Sequence, residues 1–67
     1  MLEGVQRVEI ADVEVLNDTA LVLYCRVGDE VVAVPSLRLL PGTQIKHRGD
    51  RGRLVLPRDV AVDLGLA

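Results

Sequence analysis

The sequence predicts a mainly β protein: a small curled antiparallel sheet or barrel of four to five short strands with one short C-terminal helix. Three observations carry that expectation. Twelve valines and eleven leucines supply most of the apolar content, and valine, stiff at χ1, favours strands. Apolar residues alternate in short runs separated by Asn17-Asp18, Gly28-Asp29 and Pro41-Gly42, pairs that suit tight turns. A single helical pattern follows Pro57 and stops at Gly65.

The elements follow in order. Val5 to Leu16 alternates, but the alternation slips: Val8 and Ile10 share one parity, Val13 and Val15 the other. An extra residue near Ala11-Asp12, as a bulge or a bend between two short strands, repairs the pattern. Asn17-Asp18 suits a two-residue hairpin turn. Ala20 to Val27 is the clearest strand, with Leu21, Leu23, Cys25 and Val27 on one face and Val22, Tyr24 and Arg26 on the other. Gly28-Asp29 turns the chain into a third strand, Val31 to Val34, which Pro35 ends or leaves at an edge. These three strands form a meander.

The face bearing Val22, Tyr24, Val31 and Ala33 is unexpectedly apolar, since a sheet wet on one side alternates cleanly with polar residues. A cover is expected over it: the C-terminal helix, a closed barrel wall or another subunit. These four residues are the candidate interface. Tyr24 is alternatively a stacking platform for a base.

Ser36 to Gln44 reads as a connection, and Ile45 begins another short strand. Lys46 to Arg53 is a basic loop, whose Gly49 and Gly52 permit close backbone approach. It is either a phosphate-binding segment or a solvated hairpin tip whose charges discourage edge pairing. Arg53 to Leu56 is the last strand, with Leu54 and Leu56 inward. Pro57 fits the first helical position, Val60, Ala61 and Leu64 form an apolar stripe, and Gly65 suits a left-handed cap. A strand, a proline, an apolar turn and a glycine recur twice, from Val31 to Gly42 and from Arg53 to Gly65.

At 67 residues the chain, 1–67, is expected to be a single small β-barrel-like domain. A chain of this size buries about 60% of the surface its unfolded form exposes, so such domains often need a disulfide, a metal or a partner subunit. Cys25 is the only cysteine and His47 the only histidine, which excludes an internal disulfide and a four-ligand zinc site. No metal or other cofactor is expected. Oligomerisation is left, and a homodimer is the expected assembly. Cys25, on the leucine-rich face, reads as a small buried hydrophobe.

Charge is unevenly placed. Residues 1–37 carry a net charge of −5, residues 38–58 carry +5 and the last nine carry −2. The two signs either mark a nucleic-acid surface or let two halves, or two subunits, attract each other. Lys46, Arg48, Arg51 and Arg53, with Arg38 and Arg58, are the candidate phosphate contacts to DNA or RNA. No nucleophile–base–acid set or phosphate-cradling loop is present, so an enzyme is not expected and no small-molecule substrate is evident. No apolar run approaches the roughly 18–20 residues of a membrane span. The lone thiol and the absence of a secretory pattern at Met1–Gly4 point to a cytoplasmic setting.

Gly52-Arg53-Leu54-Val55-Leu56-Pro57-Arg58-Asp59-Val60, followed by Leu64-Gly65-Leu66, resembles the signature of the AbrB/MazE-type swapped-hairpin domains. The resemblance implies a dimeric DNA-binding regulator or antitoxin, with Arg53 and Arg58 at its basic positions and Pro57 closing the strand before the helix. The whole chain more loosely resembles small uncharacterised bacterial and phage β proteins, a group with no assigned activity. The function expected is a non-enzymatic binding module, with nucleic acid as ligand. The alternative is a protein-interaction or structural homodimer, or an accessory protein of a phage or mobile element, with no nucleic-acid role.

Overall fold

The computed structural model describes residues 6–67. Its elements follow in the order β1 (Arg7–Asp18), β2 (Val22–Val27), β3 (Glu30–Pro35), a 3-10 turn (Ser36–Arg38), β4 (Arg51–Pro57) and α1 (Arg58–Asp63). The expected strand start at Val5 and the N-terminal Met1–Gly4 lie outside the described residues.

Every neighbouring pair is antiparallel, and the spatial order is β3-β2-β1-β4. The first three strands make the expected meander. The fourth returns by a long connection to lie beside the first, which is a Greek-key order. The sheet is open, with β3 and β4 as its two edges, so the barrel is not formed. The basic loop does not join neighbouring strands, since β3 and β4 are apart; it turns the chain between the connecting segment and β4.

The slip of alternation in β1 is a bulge. Ile10 faces Leu54 and Val13 faces Gly52, so Ala11 and Asp12 together oppose Arg53. Asp12 takes φ 59 there, a left-handed conformation that aspartate tolerates better than most side chains. The extra residue keeps both Ile10 and Val13 turned towards the core. A second irregularity falls between Val15 and Asn17. β1 then continues through Asn17 and Asp18, where the turn was expected, and the chain reverses over Thr19–Val22 instead. The Thr19 hydroxyl explains the displacement: it accepts from the Val22 amide at 3.0 Å and donates to the Val22 carbonyl at 3.1 Å.

The core lies on one face of the sheet. Val13, Val15, Leu23, Cys25, Val32, Val34, Leu54 and Leu56 point into it, and Ile45 and Val60 close it from above. Ile45 is fully buried but begins no strand; it is the apolar pin of the crossover connection. Removing such a side chain costs about 2–5 kcal/mol. Helix α1 presents Val60 and Ala61 inward and leaves Val62 exposed. Pro57 is the last residue of β4 and the N-cap of α1, with φ −60 and ψ 148, one position earlier than expected. Its extended ψ belongs to the strand, so the helix begins at Arg58. At the other end Gly65 donates to Val62 at 3.0 Å and Leu66 to Ala61 at 2.8 Å, the two bonds of a Schellman cap.

Between them, residues 40–44 run along the outer edge of β4. Leu40 donates to the Val55 carbonyl at 3.0 Å and Gln44 to the Arg53 carbonyl at 2.8 Å. Side chains complete the contact: Arg53 donates to Gln44 Oε1 at 3.0 Å, and Val55 to Thr43 Oγ1 at 3.1 Å. Gly52 makes room for it, since a Cβ there would lie 3.1 Å from Gln44 Oε1 and 3.2 Å from Gln44 Cβ. One edge of the sheet is thus sealed by the chain's own connection.

Candidate docking surface and basic end of the sheet

Strand β3 presents the opposite case. Gly28 has φ 60 at the first central position of the two-residue turn between Val27 and Glu30, as a type II′ hairpin requires. Such a turn makes Val27 and Glu30 a hydrogen-bonded pair, and pairs alternate from there. Glu30, Val32 and Val34 therefore direct their backbone groups to β2, and Val31 and Ala33 direct theirs outward. Among the described residues no hydrogen bond reaches the outward groups of Val31 and Ala33. Pro35, next in that series, has no amide hydrogen to offer.

The same two residues belong to the apolar outer face. Register places Tyr24 beside Ala33, Val22 beside Pro35 and Arg26 beside Val31. Tyr24 is 40% exposed and Val31 59% exposed; Ala33 is exposed and Val22 half-buried. The cover expected over them is not supplied by α1, which packs on the core face, nor by a barrel wall. Leu21 and Leu37, beyond the strand ends, are also exposed, at 69% and 89%. They are held together by the Ser36 amide, which donates to the Leu21 carbonyl at 2.9 Å. Alternation foretold the four residues of the face but set Leu21 on the opposite, leucine-rich face; Leu21 is exposed because it lies in the turn before β2 begins.

The six cationic candidates are all exposed but do not form one patch. Lys46 and Arg48 lie in the connection and Arg51 and Arg53 on the first half of β4. Arg58 begins α1, seven residues beyond Arg51 and so roughly 23 Å along an extended strand. Arg38 sits near that second end, 3.3 Å from Asp59. Acidic groups are interleaved with the first group. Asp18 accepts from the Arg48 amide at 2.9 Å and lies 3.8 Å from His47 Nδ1. Glu14 faces Arg51 in register and is 3.6 Å from Arg26. The surface around the basic residues is of mixed sign.

The connection at this end is a built turn. Asp50 Oδ2 accepts from the amides of Lys46 and His47, each at 2.9 Å. Those two bonds, His47 first and Lys46 second, hold the Asp50 carboxyl below its ordinary pKa. The turn is tied to β1 by Gly49 donating to Val15 at 2.9 Å and Val15 donating to Asp50 at 2.8 Å.

Beside it, at the β1 bulge, Ala11, Asp12, Glu14, Arg26, Gly28 and Arg51 line an open groove of about 440 Å³. Its place was foreshadowed only by the slip of alternation at Ala11-Asp12. Cys25 is fully buried, and burial pushes its thiol up to about 11, so it acts as the small hydrophobe expected. Among the described residues no group of three or more His, Cys, Asp or Glu side chains is placed to hold a metal. No helix there is long and apolar enough to cross a membrane.

In comparisons with known proteins, no family model matches the chain, and no curated protein or solved structure matches it.

Proposed function

We propose that the protein is a small non-catalytic docking module that binds another polypeptide through the β2–β3 side of its sheet. The observation that supports this reading is the coincidence, at Val31 and Ala33, of unpaired outward backbone groups with exposed apolar side chains. Strand addition uses that combination: the main chain gives affinity and the side chains of one face give selectivity. Apolar patches rimmed by polar residues mark interaction sites more often than inert surface. The test is photo-crosslinking in the cells that make the protein, with a photoreactive residue at Tyr24 or, as the control, at Arg53. Protein adducts from position 24 and none from position 53 are expected. Adducts to nucleic acid alone contradict the reading.

A second reading is favoured by one observation: Lys46, Arg48, Arg51 and Arg53 make no ion pair among the described residues. In that reading they contact phosphates of DNA or RNA, in keeping with the AbrB/MazE-like signature around Arg53 and Arg58. Each such contact adds about one unit to the dependence of log affinity on log salt. Replacing Lys46, Arg48 and Arg51 together by alanine then abolishes binding to a mixed-sequence duplex at low salt. Binding unchanged in that variant, or absent at low salt in the parent chain, contradicts it. The interleaved Glu14, Asp18 and Asp50 place this reading second.

A further inference from the structure

The partner that β3 fits best is a second β3. We infer that two copies of the chain pair antiparallel along this edge, with Val32 of one copy opposite Val32 of the other on a two-fold axis. The inference rests on the reading of the β2–β3 side as a docking surface and names its occupant.

The register follows from chemistry on the strand itself. Only Val31 and Ala33 offer both an outward N–H and an outward C=O, so self-pairing must bring those residues opposite each other. With Val32 on the axis, Val31 of each copy meets Ala33 of the other, and about four main-chain hydrogen bonds form between the copies. Moving the axis to Ala33 sets Val31 opposite Pro35, which has no donor. Moving it to Val31 brings the two Glu30 side chains diagonally together, an unfavourable like-charge pair. With Val32 on the axis the Glu30 carboxylates stand about 14 Å apart along the strands, four residues of rise. At the ends Asp29 and Glu30 of one copy lie opposite Pro35 and Val34 of the other, so no like charges meet across the seam.

Faces also match. A two-fold axis perpendicular to the sheet keeps core faces on one side and outer faces on the other, so each core stays covered by its own Ile45 and Val60. The exposed Val31 and Ala33 then meet across the seam, between the two Tyr24 rings, and make one apolar stripe. A chain this small gains the buried surface that it lacks alone. Among the described residues nothing equivalent is open at β4, whose edge is occupied by Leu40, Thr43 and Gln44.

Sedimentation of the full chain across a concentration series tests the inference. A weak, reversible dimer is expected, as suits an interface below about 1,200 Å². Ala33→Pro removes an outward donor and no bond to β2, and should weaken the dimer at least about tenfold with little change in melting. Val31→Lys, which adds an exposed charge and leaves the backbone untouched, reads the same contact if the proline variant melts early. In a Cys25→Ala background, Val32→Cys should oxidise to a covalent dimer, because non-hydrogen-bonded opposite residues lie within disulfide reach. Glu30→Cys should not.

A monomer at the highest soluble concentration overturns the inference. So does a dimer that neither Ala33→Pro nor Val31→Lys weakens, or one that cross-links at position 30 and not at 32. If the chain is monomeric while a probe at position 24 captures a different protein, the self-pairing fails and the docking reading stands. No protein adduct from position 24 removes that reading itself.

Discussion

The hydroxyl of Thr43 satisfies both backbone groups of Val55. It donates to the Val55 carbonyl at 3.2 Å and accepts from the Val55 amide at 3.1 Å. One side chain thus takes the place of a neighbouring strand residue, and Gln44 does the same for the Arg53 amide. Thr43→Val keeps the shape and removes both bonds, leaving a part-buried donor and acceptor without the hydroxyl. The expected loss is about 1–3 kcal/mol, and Thr43→Ser should retain most of the stability. Denaturant midpoints of the three proteins check this. Equal midpoints for Val and Thr would mean that the covering segment contributes nothing to β4.

Asp12 predicts an effect of the opposite sign. A left-handed backbone disfavours an L side chain by about 1–2 kcal/mol, less for aspartate, and glycine is free of that penalty. Asp12→Gly should therefore raise stability by a few tenths to about 1 kcal/mol, and Asp12→Val should lower it. Chemical denaturation measures both. If Asp12→Gly is destabilising, the carboxylate itself holds the bulge together, or the groove it lines with Arg26 and Arg51.

The Asp50 carboxylate makes the connection acid-sensitive. Its folded pKa is depressed by the amides of His47 and Lys46. Its contribution is therefore fully present above the unfolded aspartate value, about 3.9. It is lost as pH falls through the lower folded value. Amide exchange at Lys46 and His47, corrected for intrinsic rates, should lose protection as pH is taken below about 4. Asp50→Asn should show reduced protection already at neutral pH and a flatter acid response. Protection that is unaltered in Asp50→Asn would assign the order of this turn to its contacts with Val15 and Asp18.

Helix α1 is too short to persist alone and is held by burial of Val60 and Ala61. A chain ending at Leu56 exposes the core beneath them and loses the capped terminus. Loss of the cooperative thermal transition is expected by circular dichroism. A cooperative melt in that truncated chain would show that the sheet and Ile45 suffice.

Local grammar was legible in the sequence, and long-range pairing was not. Parity at Val8, Ile10, Val13 and Val15 located the bulge because side-chain direction is a property of one strand. Gly28-Asp29 and Gly65 likewise report their own backbone. Pro35 and Pro57 ended their strands as read, and each caps the turn or helix that follows. The side on which β4 would lie depends on which edge buries Leu54 and Leu56 best, a choice made by β1 and Ile45 and written in no local spacing. The turn at Thr19 was missed because a threonine hydroxyl outcompeted an Asn-Asp pair that looks more turn-like. The apolar face with Val22, Tyr24, Val31 and Ala33 was visible as a broken alternation. That β3 leaves its edge bare, while Thr43 and Gln44 seal β4, required knowing which strands were edges.

The two edges of the sheet contrast, one sealed and one bare, and amide exchange reads the difference residue by residue. At low micromolar concentration the Arg53 and Val55 amides should exchange slowly, and those of Val31 and Ala33 at nearly the unprotected rate. Raising the concentration should slow Val31 and Ala33 and leave Arg53 and Val55 unchanged. Val31 and Ala33 amides as protected as Val55 at every concentration would contradict the open edge on which the docking and self-pairing proposals both stand.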